Sequence, residues 1–269
     1  MANLDGLMKE VALANRMLYE MGLADASTIE RGHVSLRLPD DPNKFIIKAL
    51  GPSLSQTYAQ HMVLVDTDGY KAGGPKEMNL PNEVKMHSCL LRERPDINSV
   101  VHVHPRYTVL MSVLQEQLGP MCIEGMPLFA KGIPMFPNPR LIIHEKDGAE
   151  VARLMGDSDA IMLQGHGAAT VGGDMEDAVI NMLHLEEQAR MNYLAFCAVG
   201  SNHATLTKEQ AQDFVANMRS MPDADHLKPE VAPRLVTTMG MGRSGNRVDP
   251  TTAGATGNGS GTSGSTGRS

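Results

Sequence analysis

The 269-residue sequence has no tryptophan, 4% aromatic residues and three cysteines. Cys89, Cys122 and Cys197 are an odd number at spacings that match no disulfide framework, so we expect buried free thiols in a reducing cytoplasm. With so few aromatic residues, the core is expected to consist of Met, Leu, Val and Ile. The 20 methionines are therefore interpreted as adaptable packing.

The sequence also lacks the features of nucleic-acid-binding and membrane proteins. The formal net charge is -7 and no basic run is present, which argues against a phosphate-binding surface. There is no N-terminal apolar segment and no stretch of about 18 apolar residues, so neither export nor a membrane span is predicted. The 42% hydrophobic and 20% charged composition is ordinary for a soluble globular protein.

Composition divides the chain into two parts. From about Ser244 the sequence is rich in Gly, Ser and Thr and almost without apolar residues, so it cannot bury enough surface to offset the entropy of ordering. We predict a single catalytic domain over residues 1–243 and a disordered tail over 244–269. Helical and strand patterns alternate through the domain, which predicts an α/β fold with strands in pairs and helices on both faces.

Local patterns place most of the helices and strands. Residues 30–39 and 44–49 have the alternation of strands around a turn cluster and predict a hairpin. Asp174 is predicted to cap a long helix, and a weaker helix is predicted to start at Thr207. Residues 119–139 are interrupted by Pro and Gly and are predicted to form short strands.

One carboxylate stands at the start of a predicted helix. Residues 82–93 have an apolar stripe, Asn82 as a candidate N-cap and Pro95 as a stop signal. Glu83 is therefore expected in the first helical turn.

Two imidazoles lie on the strand that residues 97–104 are predicted to form. Side chains alternate along a strand, so His102 and His104 should point to the same face. An HxH pair alone is a weak signal among ten histidines, and a structural pair is the alternative. Together with Glu83 and with His166 between two glycines, it predicts a divalent metal site of imidazole and carboxylate ligands.

Seven motifs lie along the chain: Gly32-His33-Val34-Ser35, Val65-Asp66-Thr67-Asp68-Gly69, Glu83 with Met86-His87, Arg94-Pro95-Asp96, Val100-Val101-His102-Val103-His104-Pro105, Gly165-His166-Gly167 and Gly172-Gly173. In order and spacing, over roughly residues 5–200, they resemble the class II aldolase/adducin superfamily. The resemblance implies a three-layer α/β/α sandwich with a largely antiparallel central sheet. It also implies a symmetric homotetramer with active sites at the subunit interfaces.

The same resemblance implies one divalent metal ion per subunit. Mn²⁺ is favoured, with Fe²⁺, Co²⁺, Zn²⁺ and Mg²⁺ as alternatives. The implied ligands are Glu83, His102, His104 and His166, or the three histidines with Glu83 as a carboxylate that binds the ion when substrate is absent.

Two departures separate the sequence from the sugar-phosphate aldolases and epimerases of the superfamily. Those enzymes carry Gly-Asn-x-Ser and a Ser-Ser pair, which bind the substrate phosphate; here His33 replaces the Asn and Pro81-Asn82 replaces the pair. A phosphate needs several donors and proline removes one, so an unphosphorylated substrate is predicted. Gly-His-x-Ser resembles the branch of metal-dependent decarboxylases that act on dihydroxyphthalate and hydroxypyridine dicarboxylate.

We therefore expect a metal-dependent, non-oxidative decarboxylase of an aromatic mono- or dicarboxylic acid with a hydroxyl ortho to the carboxylate, both groups being chelated by the metal. His33 and Tyr107 are the candidate proton donors, and Glu83 is a third catalytic candidate. Candidate substrate contacts are His33, Ser35 and Arg106, of which Arg106 suits a second carboxylate. The structural alternatives are a core histidine, a packing tyrosine and a surface arginine.

Other functions stay open. A non-haem iron(II) oxygenase of the prenylated-hydroxybenzoate type would use the same ligands. The remaining alternatives are an aldolase or epimerase on a sugar or sugar phosphate, and a non-enzymatic adducin-like interaction module, a branch that lacks the histidines. His87 could share the site but is interpreted as support for its helix. His184 and Glu186 are interpreted as the solvated flank of the long helix after Asp174, with contact to a neighbouring subunit as the alternative.

Overall fold

A mixed sheet of eight strands forms the centre of the part of the chain that the computed structural model describes, residues 3–24, 31–116 and 118–220. The strands are β1 (Gly32–Leu38), β2 (Asp41–Lys48), β3 (Met62–Asp66), β4 (Lys71–Gly73), β5 (Ser99–Val103), β6 (Met135–Phe136), β7 (Ala160–Leu163) and β8 (Gly167–Gly172). Their order is β4-β3-β2-β1-β5-β8-β7-β6, and every neighbouring pair is antiparallel except the parallel pair β6–β7.

Helices cover both faces of this sheet. They are α1 (Leu4–Glu20), α2 (Val84–Glu93), α3 (Arg106–Leu114), α4 (Met126–Lys131), α5 (Glu145–Met155), α6 (Met175–Val199) and α7 (Lys208–Arg219). None of the described helices is long and apolar enough to cross a bilayer. The predicted tail at 244–269 lies outside the described residues.

Strand β5 separates the two halves of the core. It is buried along its whole length, and its side chains alternate between the two layers. Val100 packs with the core of α2 and α5, whereas Val101 and Val103 pack with that of α1 and α6. The predicted α/β/α sandwich with a largely antiparallel sheet is therefore confirmed.

Two predictions of local structure are wrong. The segment 119–139 contains helix α4 and only the two-residue strand β6, because Pro127 lies in the first helical turn, where no backbone donor is needed. Asn82 does not cap α2. The cap position is taken by Glu83, whose side chain makes no cap hydrogen bond and is used elsewhere.

The predicted hairpin and the predicted cap at Asp174 are present, and the cysteines are free but not all buried. β1 and β2 pair antiparallel, although β2 begins inside the expected turn cluster, at Asp41. Asp174 and Thr207 accept hydrogen bonds from the first turns of α6 and α7. The three cysteines are free, but only Cys89 is buried. Cys122 is half-buried and Cys197 is exposed at the end of α6, so the expectation of three buried thiols is wrong.

A buried arginine ties α2 to the sheet. The guanidinium of Arg37, on β1, donates to the backbone carbonyl oxygens of Ile97 at 3.1 and 3.2 Å, Pro42 at 2.7 Å, Leu91 at 2.5 Å and Arg94 at 3.2 Å. Burial is the largest influence on its pKa, which lies below its usual range. Because these acceptors include the last turn of α2 and the loop into β5, Arg37 fixes the distance between the helix that begins after Glu83 and the strand that bears His102.

We predict that Arg37→Lys lowers the free energy of unfolding by about 1.5–3 kcal/mol, since an ammonium has three donors and cannot copy the planar fork. Urea denaturation measures the change. The matched control is Arg153→Lys, on the exposed face of α5, where little change is expected. Equal, small effects of the two substitutions would contradict the structural role of Arg37.

Candidate metal centre

Four side chains meet at one end of the sheet. Glu83 stands at the N-cap of α2, His102 lies in β5, His104 follows β5 directly, and His166 lies in the turn between β7 and β8. One nitrogen or oxygen atom of each can be chosen so that all four atoms lie within 4.8 Å of one another. A single ion could therefore contact all of them.

The closest approaches run through His102 and Glu83. His102 Nε2 lies 3.1 Å from Glu83 Oε2 and 3.1 Å from His104 Nε2. His166 Nε2 lies 3.4 Å from Glu83 Oε1. Separations of about 3 Å between donor atoms are those expected of ligands grouped around one tetrahedral or octahedral ion at about 2.0–2.2 Å.

The structure explains why glycine occupies both positions beside His166. Gly165 has a φ of 66°, in the left-handed region that glycine adopts without strain. A Cβ on Gly167 would lie 2.4 Å from the carbonyl oxygen of Val103 and 2.7 Å from the ring of His104. The turn can bring His166 against His104 only because position 167 has no side chain.

Backbone groups orient two of the four side chains. His102 Nδ1 lies 2.9 Å from the carbonyl oxygen of Ala168, so this nitrogen is the donor and Nε2 keeps its lone pair towards the cluster. Glu83 Oε1 accepts a hydrogen bond of 3.0 Å from the backbone N–H of Ile142. Such outer partners are typical of metal ligands, because they fix the tautomer and the direction of the lone pair.

His166 supplies the clearest sign that the cluster suits an ion. Both of its ring nitrogens are buried, and within the described part of the chain neither makes a well-oriented hydrogen bond. Buried polar atoms nearly always have a hydrogen-bond partner, and one without a partner in the protein is expected to contact a water molecule or an ion. The donor set of three imidazoles and one carboxylate fits a divalent transition metal.

The protonation states of Glu83 and His104 are those that bind metal ions. Burial alone would raise the pKa of Glu83, but the neighbouring His102 and His166 outweigh it, and the net pKa lies below its usual range. Burial, followed by repulsion from His102 and His166, lowers the pKa of His104 to about 3. An ionised carboxylate and a neutral imidazole need lose no proton before binding a cation.

Beside this cluster runs a buried chain of three side chains. His33 on β1 lies opposite His102 in the strand register, with ring centroids 5.4 Å apart. His33 Nδ1 is 2.7 Å from His87 Nε2, and His87 Nδ1 is 2.7 Å from Ser35 Oγ. Ser35 has no exposed surface, so its predicted substrate contact does not fit this position; it reaches the cluster only through His87 and His33.

The other two candidates, Arg106 and Tyr107, begin α3. Arg106 is exposed and Tyr107 is half-buried, with its ring centroid 5.7 Å from that of Tyr193 on α6. Their predicted roles as carboxylate clamp and proton donor stay predictions. The contacts that the described residues give Tyr107 are made with α6.

The sequence-based interpretation of Glu186 as a solvated flank residue is wrong. Its carboxylate accepts hydrogen bonds from the backbone N–H groups of Tyr107 and Thr108 and from the Thr108 hydroxyl, at 2.8–2.9 Å. Burial raises the pKa of Glu186, and these hydrogen bonds oppose the rise. It therefore caps the N-terminus of α3, the helix that follows His104.

Sequence reasoning missed these supporting groups. The spacing of four residues between Glu83 and His87 shows that both face one side of a helix, but it does not reveal the bond to His33. The Ile142 N–H and the Ala168 carbonyl are backbone groups, which have no signature in the sequence.

The three-layer sandwich and the Glu-His₃ cluster at the end of its antiparallel strands agree with the resemblance to the class II aldolase/adducin superfamily. The sequence profile described as "Class II Aldolase and Adducin N-terminal domain" matches residues 9–193. The chain belongs to this family.

Relatives and solved structures agree with this assignment. The chain is 35% identical to a 3,4-dihydroxyphthalate decarboxylase of Arthrobacter keyseri over 206 residues, covering 73% of this chain and 81% of the relative. It is 26% identical to a 3-oxo-tetronate 4-phosphate decarboxylase of Escherichia coli, covering 70% and 86%. The fold is similar to that of L-fuculose 1-phosphate aldolase from Glaciozyma antarctica, with a TM-score of 0.72, 20% identity and coverage of 90% and 92%.

These names confirm two predictions made from the sequence. The branch that contains dihydroxyphthalate decarboxylases is the one predicted from Gly-His-x-Ser, and the two named decarboxylases are carboxy-lyases, the predicted class of enzyme. Class II aldolases use a divalent metal, and the cluster described above could hold one.

We predict that His166→Ala lowers metal affinity at least about tenfold, the smaller effect usually seen when an outer partner of a ligand is removed. Elemental analysis after equilibration in metal-buffered solutions measures the change. His144→Ala, at an exposed position before α5, is the control and should bind metal normally. Normal metal content in His166→Ala would rule out the four-residue site.

We also predict a pH dependence of stability for the metal-free protein. Burial, followed by repulsion from His102, lowers the pKa of His87 from 6.5 to about 3. As the pH falls below about 6.5 the unfolded chain takes up this proton first, so the free energy of unfolding falls by up to about 1.4 kcal/mol per pH unit for this residue.

Denaturation of chelator-treated protein between pH 7 and 4 tests this effect. His87→Gln should flatten the slope, whereas His144→Gln should leave it unchanged. An unchanged slope in His87→Gln would show that His87 is not held neutral in the fold.

Proposed function

We propose that the protein is a divalent-metal-dependent, non-oxidative decarboxylase of an aromatic acid with a hydroxyl group ortho to the carboxylate. One observation carries the proposal. The position at which sugar-phosphate enzymes of the family have an amide is held here by His33, a buried imidazole bonded to His87 beside the Glu-His₃ cluster. The relative named 3,4-dihydroxyphthalate decarboxylase supports the same chemistry.

The ion would be held by Glu83, His102, His104 and His166, which fit it by donor type and by spacing. A divalent cation bound there supplies Lewis acidity at the substrate oxygens, which stabilises the charge that develops as the carboxylate leaves. Glu83 and His102 are buried and His104 and His166 are partly buried, which strengthens the electrostatic interactions at this place.

We propose His33 as the proton donor because, of the two candidates, it is the one whose ring lies beside that of His102. Its Nδ1 is used by His87, so Nε2 is the nitrogen left for a substrate. Burial, then repulsion from His87 and His102, lowers its pKa well below the usual value. A neutral N–H beside the cluster suits hydrogen bonding to a substrate. To act as an acid, the ring must first accept a proton, because the loss of a proton from neutral imidazole would leave an imidazolate.

Exposed apolar side chains lie near Gly165, the neighbour of His166, and beside Ile142, which donates to Glu83. A methyl group on Gly165 would lie 3.5 Å from Pro139 and 3.6 Å from Val113, and Val113 is exposed. Leu141 and Ile143, which flank the residue that bonds Glu83, are also exposed. An aromatic ring could bury these apolar surfaces, whereas the hydroxyl groups of a sugar would not remove them from water.

A second candidate is a decarboxylase of a phosphorylated sugar acid, favoured by the relative named 3-oxo-tetronate 4-phosphate decarboxylase. Pro81 argues against it, because it removes a donor from the segment before Glu83.

The test is release of carbon dioxide from ortho-hydroxy aromatic mono- and dicarboxylates, with Mn²⁺, Fe²⁺, Co²⁺, Zn²⁺ or Mg²⁺ and with chelator, under argon and under air. We expect metal-dependent release under both gases, and none from ring acids without the hydroxyl. His166→Ala should be inactive and His144→Ala active.

Three outcomes would contradict the proposal. Oxygen consumption during turnover would favour the iron(II) oxygenase. Release only from phosphorylated sugar acids would favour the second candidate. No release from any aromatic acid with any metal would reject the proposed function.

Further predictions accompany this proposal. A homotetramer with its active sites at subunit interfaces, a cytoplasmic location, and the domain boundary at residue 243 follow from the resemblance and the sequence, and they stay predictions.

A further inference from the structure

His87 is the middle residue of the hydrogen-bonded chain Ser35–His87–His33, and the proposed function gives it no role in the reaction. His87 lies four residues after Glu83 on α2, so one helix carries both a candidate ligand and this imidazole. Both of its ring nitrogens are used, Nε2 at 2.7 Å from His33 Nδ1 and Nδ1 at 2.7 Å from Ser35 Oγ. His87 is 0% exposed and cannot touch a substrate. Any influence on the reaction must pass through His33.

The two nitrogens that join His33 and His87 permit only one hydrogen between them. If His87 Nε2 carries it, His33 Nδ1 is the acceptor, and His33 as a neutral imidazole bears its hydrogen on Nε2. If His33 Nδ1 carries it, His33 Nε2 is a bare acceptor. The tautomers of the two rings are therefore coupled, and no change of charge separates the two arrangements.

Ser35 completes the chain because a hydroxyl can donate or accept. When its Oγ–H donates to His87 Nδ1, His87 must carry its hydrogen on Nε2, and His33 presents an N–H at the metal cluster. Ser35 lies on the same face of β1 as His33, two residues away, so the strand itself sets the spacing between the two ends of the chain.

We propose that His87, oriented by Ser35, is a positioning residue that fixes the ring and the tautomer of His33 so that His33 Nε2–H faces the substrate at the metal cluster. This inference rests on the proposed function for its catalytic consequence, but the tautomer of His33 is a property of the resting protein and can be measured without turnover.

His87→Gln is the first test. A Gln amide can donate to or accept from His33 Nδ1, so it keeps a polar partner without dictating the direction of the bond. We expect kcat to fall roughly 10- to 100-fold, as for other small misplacements of reacting groups, with KM and metal content within about twofold of the wild type. Ser35→Ala should show a smaller loss of the same kind.

The second measurement is the tautomer itself, read from two-bond ¹H–¹⁵N NMR of protein labelled at histidine, with and without Zn²⁺. The His33 signal is assigned by its loss in His33→Gln. Wild-type His33 should be a single Nε2–H tautomer, and a mixture should appear in His87→Gln. His144→Gln, at an exposed position, should change neither the spectrum of His33 nor kcat.

The outcomes separate the two hypotheses. An unchanged His33 tautomer in His87→Gln, or a wild-type His33 with a bare Nε2, would overturn the positioning role whatever the substrate is. A loss of kcat matched by a loss of metal would also overturn it, since His87 would then serve only the packing of α2. A tautomer change in protein that releases no carbon dioxide would support the inference and reject the proposed function.

Discussion

The register between β1, β5 and β8 is the constraint on which the site depends. It sets His33 opposite His102, and His102 opposite Ala169. Because side chains alternate with a period of two, a slip of one residue would send these imidazoles into the layer of α1 and α6 and bring valines to the cluster. The valines beside His102 prevent such a slip, since Val101 and Val103 have no exposed surface and pack into that layer.

The histidines buried on the face of the sheet that bears the cluster need hydrogen-bond partners. A buried polar group without a hydrogen bond costs about 1–3 kcal/mol, so a cluster of histidines inside a sandwich is tolerated only where each ring is engaged. His102, His87 and His33 are satisfied within the protein, through Ala168, Ser35 and one another. His166 is the exception, since within the described residues neither of its ring nitrogens has a hydrogen-bond partner, and an ion bound in the cluster would satisfy one of them.

The sequence predicted those parts of the site that follow from periodicity. The alternation in β5 placed His102 and His104 on one face, and the glycines around His166 indicated a tight turn. What could not be predicted depends on contacts between distant segments. Glu186 caps α3 across more than 70 residues, and Arg37 reaches backbone carbonyls that no pattern encodes. Helix α4 could not be predicted from the prolines and glycines that interrupt residues 119–139, because Pro127 lies in a first turn, where proline favours the helix.

The replacement of an amide by His33 changes what the site can recognise. An asparagine side chain offers two N–H donors to an anion, whereas His33 has one nitrogen committed to His87 and at most one donor left. Because burial, His87 and His102 hold its pKa well below the usual range, His33 also brings no positive charge to compensate a phosphate. One neutral N–H beside the candidate metal site is a poor anchor for a dianion but can donate a hydrogen bond to a single substrate oxygen, and this difference supports the proposed decarboxylase over a sugar-phosphate enzyme of the same fold.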